Sequence, residues 1–129
     1  MPKPKILIVD DDKDFTDKLE EFLHIPFDCD VIVRNDGNRV VYVVKDDHVD
    51  VLIQDIHVPG PDGFEVAKRL KDLGINIKVF LTTSWKEDAY LAKSADLGAH
   101  FLPKPIDYKM LQMRLTEFFD KNGFDYKKR

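Results

Sequence analysis

A chain of 129 residues, 43% hydrophobic and 34% charged, holds enough material for one domain with a single substantial core and too little for two independent ones. Its formal net charge of -4 supplies no broad basic surface, so nucleic acid is not expected as a partner of this chain. There is no signal-type apolar opening and no bilayer-length apolar run, and the single Cys29 forbids an intrachain disulfide; a reducing, cytoplasmic setting with no membrane contact is expected.

In chain order, five short apolar bursts read as strands: residues 6–9, 31–33, 49–53, 77–81 and 100–102. Helical stripes lie between and after them. The clearest are Phe15, Leu19, Phe22 and Leu23, then Leu111, Leu115, Phe118 and Phe119, each repeating at i, i+4, i+7 and i+8. Segment 37–47 is ambiguous, because Val40, Val41, Tyr42, Val43 and Val44 favour a strand on propensity alone. Parallel strands on either side need a crossover, and this is the only chain available for it, so a helix is expected. Gly74 and Gly98 follow helical segments where positive φ is wanted, and Pro105 with Asp107 marks the entry to the last helix. The closing NGFDYKKR reads as a frayed, solvated tail, which gives a domain over 1–122 and a tail over 123–129. Cys29 reads as a small residue in or beside a core strand, and the four histidines (His24, His48, His57 and His100) lack the close pairing of a zinc site. The alternation implies an α/β, doubly wound parallel five-stranded sheet that binds ligands outside the carboxyl ends of its strands.

The residues just past those carboxyl ends form a set. Asp10, Asp11 and Asp12 follow the first strand, Asp55 the third, Thr82, Thr83 and Ser84 the fourth, and Lys104 the fifth. Converging carboxylates repel one another unless a cation sits among them, and hard oxygen ligands suit Mg2+. A hydroxyl and a lysine opposite would receive phosphoryl oxygens, and a carboxylate aimed into the same space can attack phosphorus. Taken singly, each has a plainer explanation. Asp12, for instance, is expected to cap the following helix. Their occurrence together at successive strand ends is what favours the phosphoryl chemistry.

The stretches ILIVDDD, QDIHVPGPDG, FLTTS and FLPKPI, in this order and spacing, resemble the receiver domain of two-component response regulators over nearly the whole chain. The resemblance implies a flavodoxin-like (βα)5 fold with strand order 2-1-3-4-5 and a cis peptide bond between Lys104 and Pro105. It implies Asp55 as the phosphorylation site, with Thr82 and Lys104 serving the transfer, and Mg2+ held by Asp10, Asp11, Asp55 and the backbone carbonyl of His57. It further implies a switch made of Thr82 and Phe101, with His57, Thr83 and Ser84 tuning the lifetime of the phosphorylated state. The expected donor is a sensor histidine kinase or histidine phosphotransfer protein. A downstream protein, or a phosphorylation-dependent dimer, would use the face of the fourth helix, fifth strand and fifth helix, carrying Trp85, Tyr90, Phe101 and Tyr108.

The sequence also departs from the family pattern. Thr83 stands where alanine or glycine is usual, Phe101 where tyrosine is frequent, and GAHFLPKP is one residue short between Gly98 and Phe101. Two alternatives follow. One is a haloacid-dehalogenase-type phosphatase with Asp10 as nucleophile and Asp12, Thr82 and Lys104 in support. The other is a degenerate receiver acting only as a docking module.

Overall fold

Runs rich in Val, Ile and Leu can be buried on both faces, and that is how parallel strands are placed when crossover helices cover the sheet. In the computed structural model, which describes residues 2–85 and 87–129, these runs are β1 (Lys5–Val9), β2 (Asp30–Arg34), β3 (Val51–Asp55), β4 (Lys78–Thr83) and β5 (His100–Pro103). All pairings are parallel, in the order β2-β1-β3-β4-β5. The connections are α1 (Lys13–Leu23), α2 (Val40–Asp46), α3 (Gly63–Asp72) and α4 (Asp88–Asp96), and α5 (Tyr108–Lys121) follows the last strand. This is the flavodoxin-like doubly wound sheet expected from the sequence. The Lys104-Pro105 peptide is cis, also as expected.

The alternation of side chains along each strand builds two cores. Ile6, Ile8, Val51, Ile53 and Phe80 face Leu19 and Leu23 of α1 and Leu111, Leu115 and Phe119 of α5. Leu7, Val9, Leu52, Val79 and Leu81 face Val40 and Val44 of α2 and Phe64, Val66, Ala67 and Leu70 of α3. Aspartates start three of the helices. Asp12, Asp62 and Asp107 accept from the backbone N–H of Phe15, Glu65 and Met110, satisfying donors that a helix start leaves open. Gly37 brings the loop after β2 against the loop after β3: its N–H donates to the Pro59 carbonyl, and any Cβ there would overlap the Pro61 carbonyl oxygen.

Several expectations shift. β3 runs from Val51 to Asp55, not 49–53, because Val49 is buried in the turn that follows α2, where its N–H bonds the Val44 carbonyl. The strand therefore ends on Asp55 itself. The crossover helix forms as reasoned but begins only at Val40, after Arg39 in a left-handed conformation. The tail is not frayed. Phe124 N–H bonds the Phe119 carbonyl, Asp28 N–H bonds Tyr126 O, and the Tyr126 ring lies edge-on to Phe27 at 5.7 Å. Its phenol also donates to Asp120, so buried Tyr126 anchors the tail while Gly123, Asp125, Lys127, Lys128 and Arg129 are exposed. Tyr108, expected on the face of α4, β5 and α5, has its ring 4.7 Å from Phe22, packed between α1 and α5.

Candidate functional site

Register brings the strand-end residues together. β3 ends with Asp55 opposite Thr82, and β4 ends with Thr83 opposite Pro103, one residue before Lys104. Asp10 follows β1, and it is almost fully buried at 2% exposure. A pocket of about 260 Å3 opens here, lined by Asp10, Asp11, Asp12, Asp55, His57, Thr83, Ser84, Trp85 and Lys104.

Lys104 organises the floor of that pocket. Its Nζ donates to Asp10 Oδ2 at 2.7 Å and to Asp55 Oδ2 at 3.1 Å, and it stands 4.2 Å from the centre of the Phe15 ring. Burial works against the ammonium, yet the hydrogen bonds and charges of Asp10 and Asp55 together outweigh it and hold the Lys104 pKa above its ordinary value. At Asp10 burial wins: it pushes the carboxyl up despite Lys104 and the Asp12 N–H, which donates to Oδ1 at 2.9 Å. The other Asp55 oxygen, Oδ1, accepts from His57 N–H at 2.9 Å. Backbone and lysine thus fix the Asp55 carboxylate from both sides.

Asp10, Asp11 and Asp55 each place an oxygen within 4.8 Å of the others. Three carboxylates, two of them sharing one ammonium, leave an excess of negative charge on hard oxygen atoms, a donor set that fits Mg2+ with room for water. Thr82 is fully buried, and its hydroxyl has no hydrogen-bond partner among the described residues, although it stands opposite Asp55. A buried hydroxyl without a partner is costly, and here it is available for an incoming oxygen. Thr83 is buried and spends its hydroxyl on the N–H of Trp85, at 3.0 Å. Ser84 is exposed at the rim.

The structure adds a wall that sequence reasoning missed. Trp85, expected on the outer face, stacks on His57 with centroids 4.1 Å apart, and the Tyr90 hydroxyl lies 3.3 Å from His57 Nε2. Phe15 was read as one member of a helix stripe, and nothing in that spacing marks it as the ring beneath Lys104. Phe101 is half-buried against the core on the α2 and α3 side, in register with Leu81. Asp12, a supporting residue in the phosphatase alternative, is occupied in capping α1, and Asp10 shares the Lys104 ammonium with Asp55.

Residues 6–116 match the family described as the response regulator receiver domain. The chain belongs to that family. Among curated relatives, the receiver is 34% identical over 113 residues to the transcriptional regulatory protein CpxR of Escherichia coli, covering 86% of this chain and 47% of that protein. It is 29% identical over 116 residues to an uncharacterized transcriptional regulatory protein of Bacillus subtilis, covering 90% of this chain and 51% of the relative. The chain thus spans about half the length of these relatives. Among solved structures, the N-terminal domain of an uncharacterized protein from Wolinella succinogenes superposes with a TM-score of 0.81 at 34% identity, over 92% of this chain and 96% of that one. The BeF3-activated receiver domain of RstA from Klebsiella pneumoniae gives 0.77 at 29% identity, over 87% and 95%. Receivers of this family are phosphorylated on an aspartate by sensor kinases or phosphotransfer proteins, and they generally bind Mg2+ at an acidic pocket. No helix among the described residues is long and apolar enough to cross a membrane.

Proposed function

We propose that Asp55 is the phosphoacceptor of this receiver and that the pocket around it carries out the transfer. The observation that carries the reading is Lys104 Nζ bridging Asp10 and Asp55 at 2.7 and 3.1 Å, within the oxygen cluster that Asp11 completes. An Asp55 oxygen attacks the phosphorus of a phosphohistidine. The new O–P bond forms as the N–P bond breaks, and the imidazole leaves with the electron pair. Asp10, Asp11, Asp55 and the His57 carbonyl would hold Mg2+, which would supply charge neutralisation on the transferring group. Lys104 pairs with one phosphoryl oxygen, and the free Thr82 hydroxyl donates to another. Hydrolysis of the acyl phosphate by water resets the site, so the domain turns over only its own modification.

The same geometry supports a switch. Drawing Thr82 toward the phosphoryl group changes the packing behind it, and half-buried Phe101 on neighbouring β5 turns further inward. The responding face is formed by α4, β5 and α5, where it would meet a downstream protein or a second copy. His57, Thr83 and Ser84, with Trp85 closing the rim, set how readily water reaches the phosphoryl group. Buried, unpaired Cys29 accords with work in the cytoplasm.

The test is incubation with a small acyl phosphate, with and without Mg2+, followed by intact mass. One phosphoryl group should be gained, only with Mg2+, and none by Asp55→Asn. Failure of every donor, including a phosphorylated histidine protein, would leave the docking module as the reading. Amide exchange that is unchanged over residues 82–106 on phosphorylation would remove the switch.

A further inference from the structure

The opposite edge of the sheet holds a second constellation that phosphoryl transfer does not use. Lys78 is the first residue of β4 and His100 the first of β5; the short turn after α4 brings them together, with Lys78 Nζ 2.6 Å from His100 Nε2. Both are half-buried. With a charged Lys78 donating to it, Nε2 is the acceptor of a neutral imidazole whose proton is on Nδ1. Arg114 and Lys121 of α5 stand seven residues apart, on one side of the helix, and with Lys78, the partner of His100, they line a cleft of about 750 Å3.

Charge in this cleft is not balanced locally. Among the described residues, no carboxylate oxygen lies within 4.0 Å of Lys78, Arg114 or Lys121. Two acids share the lining. Asp50 Oδ2 is engaged by the Lys5 backbone N–H at 2.9 Å, and Glu117 is exposed at the mouth. Burial lowers the pKa of Lys78, Arg114 and Lys121 lower it further, and Glu117 offsets them in part. His100 is lowered by burial, then by Lys78 and Arg114. Half-buried Lys78 and Arg114 repel each other, with exposed Lys121 adding to the field, and an anion relieves that repulsion. Ile77, Phe118 and Phe124 supply an apolar wall beside them, the last two with ring centres 5.9 Å apart.

We propose that this cleft is a second ligand site, taking a small phosphorylated organic molecule with its phosphate against Lys78, Arg114 and Lys121 and its apolar part against Phe118 and Phe124. The guanidinium fork of Arg114 matches two phosphate oxygens, and Lys78 keeps N–H donors free beyond the one given to His100. A cleft of this size suits a small molecule. The site stands at the amino ends of β4 and β5, away from Asp55, so it does not depend on the phosphoacceptor reading.

The test follows the His100 ring resonances of the whole chain by NMR during titration with phenyl phosphate, inorganic phosphate and sodium chloride at matched ionic strength. Saturable shifts with phenyl phosphate are expected, with binding at least about fivefold tighter than inorganic phosphate and a rise in the His100 titration midpoint. Arg114→Gln should weaken binding about tenfold, and exposed Lys121→Gln should weaken it by a smaller factor, with phosphorylation by acyl phosphate unchanged in both. Shifts that sodium chloride reproduces, or equal binding of the two phosphates, would overturn the proposal. So would unaltered binding in a folded Arg114→Gln or Lys121→Gln protein.

Discussion

Replacing Lys104 with methionine keeps an apolar chain over Phe15 and removes the one cation between Asp10 and Asp55. At 2.7 and 3.1 Å, and with an effective dielectric of about 20, the two attractions amount to about 6 and 5 kcal/mol before desolvation. Dehydrating the ammonium costs several kcal/mol of that, and methionine escapes this cost. What remains is the repulsion of two buried carboxylates that have lost their shared cation and keep only one backbone N–H each, so a net loss of about 2–3 kcal/mol is expected. In urea unfolding at pH 7 with chelator, that is a midpoint lowered by roughly 1–2 M. Mg2+ should restore most of the loss and should bind Lys104→Met about tenfold more tightly than the parent, because no ammonium competes for the same oxygens. A loss below about 0.5 kcal/mol, or an equal response of both proteins to Mg2+, would refute the electrostatic reasoning.

Other expectations follow from particular contacts. Tyr126→Ala should cost about 2–4 kcal/mol in urea unfolding, since it removes a ring packed on Phe27 and Phe119; a change within 0.5 kcal/mol would return the tail to the frayed state. His100 is held below its ordinary 6.5 in the folded chain, chiefly by burial. The unfolded chain therefore binds that proton more readily, so stability declines as pH falls below 6.5, and the decline is complete below the folded-state pKa. His100→Gln should flatten this part of the profile between pH 5 and 7, and an unchanged slope would show that other groups set it. Thr83→Ala releases the Trp85 backbone N–H and widens the pocket. It should speed phosphorylation by small acyl phosphates and phosphoryl loss severalfold, measured by intact mass against time; equal rates would show that Thr83 is not the obstruction.

Much of the fold was legible because two signals agreed, apolar bursts of strand length and stripes of helix period. At residues 37–47 they disagreed, and the valines alone would have misled. Topology decided, because a parallel pair cannot be joined without a crossover. The gathering of Asp10, Asp55, Thr82 and Lys104 at one edge was legible, since strand ends in a parallel sheet share that edge. Trp85 over His57 was not legible, because the path of an irregular loop after β4 is fixed by contacts such as Thr83 Oγ1 to Trp85 N and leaves no periodic trace. Tyr126 was missed for a related reason: an aromatic residue next to a run of basic residues looks solvated until Phe27 and Phe119 are seen to pack on it. The Lys78 and His100 pair was hidden by sequence separation: His100 is in register with Phe80, and the long Lys78 side chain reaches it from two residues earlier on β4.

The central claim is that Asp55 carries the phosphoryl group. Borohydride reduction of the protein after exposure to acyl phosphate and Mg2+, followed by peptide mass spectrometry, tests it most directly, because only an acyl phosphate is reduced and the reduced aspartate becomes homoserine. Homoserine in place of Asp55, dependent on Mg2+, is the predicted result. Homoserine in place of Asp10 or Asp11, with Asp55 intact, would contradict the account.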